Sequence, residues 1–169
     1  MNWRTTLPIE TARLWLRELT PEDASFAYEL NRDPEVVKYT GDPPFESEEE
    51  AREFLNQYNH YDEFGWGRWG VILKETNQLI GWCGLKQEGE EVDLGFRFFK
   101  NHWGHGYASE AGIACVFWAW ANTPITKIVG RSEKNNKASI AVLKKLGMTL
   151  VGETQCGGFE DALLFEITK

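Results

Sequence analysis

Val92-Asp93-Leu94-Gly95-Phe96-Arg97-Phe98-Phe99-Lys100-Asn101-His102-Trp103-Gly104-His105-Gly106-Tyr107-Ala108-Ser109-Glu110-Ala111 is the stretch on which the reading of this chain turns. It begins as a strand, passes through Gly104-His105-Gly106, and enters a long apolar run of helical character. Two glycines two apart, between a strand and a helix, let the backbone turn tightly and bring several N–H groups to one point. The N-terminus of the following helix adds a partial positive charge there. The site is therefore built to hold an anion such as a pyrophosphate.

Three phosphate-bearing ligands can be weighed. Gly104-x-Gly106-x-x-Ser109 lacks the third glycine of the dinucleotide fingerprint, and no Asp or Glu occurs between Glu110 and Glu133 to take a ribose hydroxyl. No G-x-x-x-x-G-K-[ST] occurs, which excludes a nucleoside-triphosphate P-loop. A third pattern fits: Asn101-His102-Trp103-Gly104-His105-Gly106 resembles the [QR]-x-x-G-x-[GA] loop with which GNAT acetyltransferases hold coenzyme A. Asn stands in the first position, but the donors that matter are backbone amides.

Other blocks carry the same resemblance along essentially the whole chain. Ile9-Glu10-Thr11-Ala12-Arg13-Leu14-Trp15-Leu16-Arg17 resembles the opening of the ribosomal-protein alanine N-acetyltransferase branch (RimJ/RimL-like). Thr20-Pro21-Glu22-Asp23-Ala24, Asp33-Pro34-Glu35-Val36-Val37 and Leu79-Ile80-Gly81-Trp82-Cys83-Gly84-Leu85 continue it, and the block from Asn136 to Met148 completes it in the family's order.

Composition bounds the alternatives. A chain of 169 residues is one domain's worth, enough to bury roughly two thirds of the surface its unfolded form exposes. The expectation is a single domain over 1–169. Its eight Trp, ten Phe and five Tyr read first as core. No apolar run is long enough to span a membrane and no signal-peptide pattern opens the chain, so a cytoplasmic protein with no membrane partner is expected. Cys83, Cys115 and Cys156 are too few and too widely spaced for a disulfide framework or a zinc ribbon. His102-x-x-His105 has no further ligands nearby to complete a metal site, so none is expected. A net charge of −8 disfavours nucleic acid. The acidic runs Glu46-Ser47-Glu48-Glu49-Glu50 and Glu88-Gly89-Glu90-Glu91 read as solvated faces, or as a rim that favours approach of a cationic amine.

Leu14 and Leu16 alternating with Trp15 and Arg17 predict a half-buried strand. Thr20 as N-cap with Pro21 at the first position predicts a helix ending near Arg32, before Asp33-Pro34. Ser47-x-x-Glu50 is a capping box, with Ala51, Phe54, Leu55 and Tyr58 following at helical spacing. Strands are expected near 68–74, 79–86, 91–99 and 126–132, and a closing hairpin of 149–155 with 161–168 about Gly157-Gly158. The run 107–121, apolar nearly all round, predicts a helix buried in the body of the domain. Asn136 caps a helix that turns Ile140, Leu143 and Leu146 inward and stops at Gly147. The order is α+β with a mixed sheet of about seven strands and flanking helices, in agreement with the GNAT acyl-CoA N-acyltransferase fold that the resemblance implies.

The resemblance also implies a site. The pantetheine arm of acetyl-CoA would lie along the fourth strand at the backbone of Phe96, Arg97 and Phe98. The pyrophosphate would take N–H groups from Trp103, Gly104, His105, Gly106, Tyr107, Ala108 and Ser109. Asn136 would orient the pantetheine amides, and Ser139 would protonate the leaving thiolate directly or through water. The plainer readings are core packing for Phe96 and Phe98, an N-cap for Asn136 and a first-turn hydroxyl for Ser139. Many family members use a Tyr as the acid, and no Tyr follows Tyr107. Asp93 is the best-placed carboxylate for a general base acting through water, its alternative being a solvated strand residue. Glu110 reads as a complement to the helix dipole.

Acetyl transfer by direct attack needs no covalent nucleophile, in keeping with the absence of a G-x-S-x-G elbow. The chain thus reads as an acetyl-CoA-dependent N-acetyltransferase acting on a primary amine, either a protein N-terminus or a small molecule, as a monomer or homodimer. The alternative is a catalytically weak acyl-CoA sensor or interaction module.

Overall fold

In the computed structural model, which describes residues 6–169, a mixed sheet is assembled from β1 (Ile9–Glu10), β2 (Leu14–Arg17), β3 (Arg68–Leu73), β4 (Gln78–Glu88), β5 (Glu91–Phe98), β6 (Lys127–Glu133), β7 (Thr149–Cys156) and β8 (Phe159–Thr168). The order across it is β1-β2-β3-β4-β5-β6-β8-β7. Neighbours are antiparallel except β5 and β6. Every expected strand is present. The eighth is β1, a two-residue edge strand too short to show alternation.

The helices are α1 (Ala24–Arg32), α2 (Pro34–Val37), α3 (Glu48–Gln57), α4 (His60–Phe64), α5 (Tyr107–Asn122) and α6 (Lys137–Lys145). The helix expected from Thr20 begins as a 3₁₀ turn over Pro21–Asp23 and becomes α-helical at Ala24. Asp23 sets that turn: it accepts from the Thr20 N–H at 2.9 Å and is gripped by the Arg17 guanidinium. Asp33-Pro34 ends α1 as its sequence requires, yet also starts α2, because Asp33 accepts from the Glu35 N–H at 2.9 Å. Ser47 caps α3 through the Glu50 N–H at 3.1 Å, while the Glu50 side chain returns to the Glu46 amide rather than to that of Ser47.

The two faces of the sheet are distinguished by strand alternation. Cys83 and Phe96 are opposite one another on β4 and β5, and the Cys83 sulfur lies 3.8 Å from that of Cys115 on α5. On that face Gly112 of α5 packs against Leu146, just past the end of α6. Trp82 and Arg97, one residue along each strand, face the other way, where Arg97 reaches Asn31 of α1 and Asp42. The expectation that α5 is buried all round holds for only one side. Ala111, Cys115 and Ala119 are fully buried, but Phe117 is 66% exposed. The sheet covers one stripe of the helix, and no other described element covers the opposite stripe.

His60, at the start of α4, ties this region to β4. Its Nδ1 is 2.7 Å from the Trp66 carbonyl and its Nε2 accepts from the Gln87 N–H at 2.9 Å. A carbonyl only accepts and an amide N–H only donates, so the ring is neutral with its proton on Nδ1. Burial pulls the imidazole below its ordinary value, and nearby Arg68 adds to this; the bond to Trp66 opposes it. The unfolded chain therefore binds the proton more readily. The stabilisation from neutral His60 is complete above about pH 6.5 and is lost as pH falls from there through the lower folded value. Thermal melts between pH 8 and pH 5 are expected to show a fall in Tm that begins near neutrality. In His60→Gln, which is less stable at pH 8, that component of the slope disappears. Equal slopes in the two proteins would remove His60 as its source.

Candidate active site

Among the described strands the one parallel junction is also the shortest in register. β5 and β6 are in register at a single pair, Asp93 with Val129, and then diverge, β6 running on along β8 from Lys127 to Glu133. A carboxylate and two guanidiniums mark the point of divergence. Arg68 of β3 donates to Asp93 Oδ2 at 2.9 Å, to the Asp93 carbonyl at 2.9 Å and to the Gly84 carbonyl at 2.7 Å. Arg131 of β6 donates to Asp93 Oδ1 at 2.9 Å and to Glu91 at 3.0 Å. Gly95 makes room for this, since a Cβ there would sit 2.8 Å from the Arg68 guanidinium carbon.

Above that vertex β5 offers backbone groups to the cleft. The Phe99 N–H bonds the Ile80 carbonyl across the β4–β5 pair at 3.0 Å. In an antiparallel ladder alternate residues turn their N–H and C=O to the same neighbour. Arg97 is thus turned toward β4, and Phe96 and Phe98 away from it. Of the expected trio, Phe96 and Phe98 present main chain to the cleft. Arg97 does not: its backbone is spent on β4 opposite Trp82, and its guanidinium lies on the other face.

A cavity of about 950 Å³ fills that other face and reaches the cleft. Its floor is Trp82, flanked by the Arg68 and Arg97 guanidiniums at 5.2 and 5.4 Å from the ring centre. Its outer wall is aromatic, from Tyr39, Phe45, Phe54 and Tyr58. The loop at Thr40-Gly41 and the β7–β8 turn at Gly157 meet over it so closely that a Cβ on Gly41 would lie 1.5 Å from the Gly157 carbonyl oxygen. The acidic runs are only partly compensated, since Glu46, Glu50 and Glu90 have no ion pair among the described residues. Arg52 pairs with Glu48 and Glu49, and Arg131 and Lys86 pair with Glu88 and Glu91.

At the far end of β5 the glycine loop has the predicted form. Gly104 and Gly106 have φ of +76° and +82°, a backbone conformation that side chains resist. The N–H groups of Gly104, His105 and Gly106, and of Tyr107, Ala108 and Ser109 in the first turn of α5, have no acceptor among the described residues. Trp103 differs from the expectation. Its N–H bonds the Lys100 carbonyl at 3.1 Å and its indole donates to the Phe98 carbonyl at 2.9 Å. Both donors hold the loop to the strand.

Arg13, passed over in the sequence, is the loop's second brace. Its Nη1 donates to the His105 carbonyl at 2.9 Å, its Nε to Glu110 at 2.8 Å, and its guanidinium lies 4.5 Å from the centre of the Tyr107 ring. Glu110 also accepts from the Thr11 hydroxyl at 2.7 Å. Burial pushes the Glu110 carboxyl up, but the bonds from Thr11 and Arg13 outweigh it and hold it below its usual value. No spacing rule links residues 97 positions apart.

The third component is the start of α6. Asn136 caps the helix through the Ser139 N–H at 3.2 Å, as its sequence predicted. Both side chains line the cavity, and the Ser139 hydroxyl has no hydrogen-bond partner among the described residues. Glu133, which no motif flagged, is buried on the same wall, and among the described residues its carboxylate has Asn135 as its partner.

Comparison with known proteins bears on this geometry. Residues 13–149 match the model of the acetyltransferase (GNAT) domain. The chain is 32% identical over 168 residues to the uncharacterized N-acetyltransferase p20 of Bacillus licheniformis, covering 94% of each. It superposes on a GNAT-family acetyltransferase from Bacillus anthracis with a TM-score of 0.81 at 26% identity, covering 95% of this chain and 97% of that one. The ribosomal-protein-S5-alanine acetyltransferase of Vibrio fischeri shares the fold, with a TM-score of 0.79 at 18% identity and 96% of each chain covered. The match over residues 13–149 and the likeness along nearly the whole length of p20 settle the family: the chain belongs to the GNAT acetyltransferases.

Proposed function

We propose that this protein moves the acetyl group of acetyl-CoA to a primary amine by direct attack within a ternary complex. The observation that carries the reading is the opening between β5 and β6, with free main-chain groups on one edge, a free hydroxyl opposite and a large cavity behind. The pantetheine arm lies in the cleft, its amides bonding Phe96 and Phe98 as a strand would. The pyrophosphate sits on the amides from Gly104 to Ser109, at the positive end of α5. Asn136 meets the pantetheine amides with the part of its side chain not used as a cap.

The amine approaches from the aromatic cavity and attacks the thioester carbonyl. A β5 backbone N–H steadies the oxyanion, the C–S bond breaks, and its electron pair leaves on sulfur. Ser139, directly or through water, delivers the proton that makes the free thiol. Asp93 serves the vertex rather than the proton transfer, since each of its oxygens already accepts from a guanidinium. The acceptor is a protein N-terminus or a small amine. Thiol release measured against a panel of peptides and amines tests the whole reading. Cofactor binding without release above background hydrolysis would make the chain an acyl-CoA sensor instead.

Coenzyme A at a hundred times its dissociation constant is expected to stabilise the fold by about 2.7 kcal/mol. Gly106→Asp, which sets a charge and a side chain against the phosphates, abolishes that shift while the apo protein stays folded. Arg13→Ala leaves the loop's amides in place but loosens them, weakening coenzyme A about tenfold, or about 1.4 kcal/mol. A full thermal shift in Gly106→Asp would overturn the phosphate assignment.

Ser139→Ala is expected to lower kcat and leave the affinity for acetyl-CoA almost unchanged, because its proton is needed only as the thiolate departs. Asn136→Ala weakens acetyl-CoA and costs about 1 kcal/mol of stability through the lost cap. An unchanged kcat in Ser139→Ala would remove it from the mechanism.

A further inference from the structure

Glu133 ends β6 on the acceptor side of the sheet. Arg131, two residues earlier, reaches Asp93 across that face. A Cβ on Gly130 would instead lie 2.7 Å from Leu143 of α6, on the opposite face. Alternation therefore sets Glu133 beside Arg131 and toward the cavity, whose wall it lines together with Asn136 and Ser139. It is only 7% exposed.

Its surroundings differ from those of the carboxylates gathered around Arg131. Asp93, Glu88 and Glu91 all converge on Arg131. Glu133 has no ion-pair partner among the described residues. Its Oε2 accepts from the Asn135 N–H at 2.7 Å and its Oε1 from the Asn135 side-chain amide at 3.0 Å. Two neutral donors orient the group but leave a lone pair on each oxygen. Burying a carboxylate without a cation is costly. A cationic group arriving in the cavity, such as the ammonium form of an acceptor amine, removes that cost.

We propose that Glu133 is the general base of the acetyl transfer and the counter-ion that seats the acceptor as an ammonium. This rests on the acetyltransferase reading above. The N–H bond of the bound ammonium breaks, and its proton passes to a Glu133 oxygen, directly or through one water. The freed lone pair forms the new C–N bond at the thioester carbonyl. The C–S bond then breaks with its electrons on sulfur, and the second nitrogen proton reaches the thiolate by way of Ser139 or water. Glu133 finally gives its proton to solvent, so each ammonium acetylated releases one proton overall. Asp93 is unsuited to this step, because accepting a proton would break two buried ion pairs.

The test compares Glu133→Gln with Asp93→Asn, using a short peptide with a free N-terminal amine and a simple primary alkylamine as acceptors. In Glu133→Gln, kcat/KM at pH 7 is expected to fall by about a hundredfold or more, with the thermal shift from coenzyme A retained. The deficit shrinks as pH rises toward the amine's own pKa, near 8 for the peptide and about 10 for the alkylamine, because the amine then arrives already neutral. Glu133→Asp, which keeps the charge but withdraws it, gives an intermediate loss and covers the case in which the glutamine variant fails to fold. Asp93→Asn lowers Tm, with a rate deficit that does not change with pH. Three results would overturn the proposal: near wild-type transfer by Glu133→Gln, a deficit of the same size at every pH, or the pH-dependent deficit appearing in Asp93→Asn. Wild-type protein that binds coenzyme A but releases no thiol with any amine overturns the acetyltransferase reading and, with it, a base at Glu133.

Discussion

Everything in this structure that bears on chemistry depends on how two parallel strands are held at one point and released beyond it. The Asp93–Val129 pair is the whole of the β5–β6 ladder. Left to backbone bonding alone, so short a junction would either slip or zip further. The Asp93 carboxylate prevents slippage by taking one guanidinium from β3 and one from β6. Beyond that pair the two strands part, while β6 stays in register with β8 to its end. Buried backbone groups are almost always paired, so Phe96 and the Phe98 N–H at an open cleft are an exposed strand edge awaiting a partner, the Phe98 carbonyl already taking the Trp103 indole. An extended ligand with amides of its own completes such an edge by the same bonds a neighbouring strand would make.

The two ends of the cleft deal with charge in different ways. At the glycine loop the backbone amides and the α5 dipole supply positive potential. Arg13 pairs with Glu110 and grips the His105 carbonyl, which braces the loop. In the acceptor cavity three arginines line the floor, but Asp93, Glu91, Glu88 and Asp42 compensate them. The arginines fix geometry and flank Trp82; they do not make the cavity cationic.

Much of this was legible in the sequence, and what was not has a common cause. Alternation at Leu14–Arg17, the capping signals at Ser47 and Asn136, and the positive-φ glycines at 104 and 106 are local patterns, and each appears as read. The helix over 107–122 was legible too, but its exposed stripe was not, because an apolar residue carries no sign of whether another element will cover it. The direction of the Arg97 backbone follows from register with β4, and the loss of the Trp103 N–H from a 3₁₀ turn at Lys100. Neither leaves a mark in composition. Arg13 with Glu110, and Arg68 with Asp93, are meetings of residues far apart in the chain.

The carboxylates show the same principle at its sharpest. Read along β5, Asp93 is the acidic residue nearest the expected thioester, and proximity recommends it as a base. A carboxylate's chemistry is decided by what else holds it, and Asp93 is held twice by cations that cannot lose their protons. Glu133 stands in no motif and follows Arg131 and Ser132 without a periodic signal. Folding buries it where its own neighbour Asn135 orients it and no cation of the described residues pairs with it. A chain that folds around an uncompensated carboxylate has accepted a loss of stability at that point. The return on that loss comes when the compensating charge is brought in by the molecule on which the site acts.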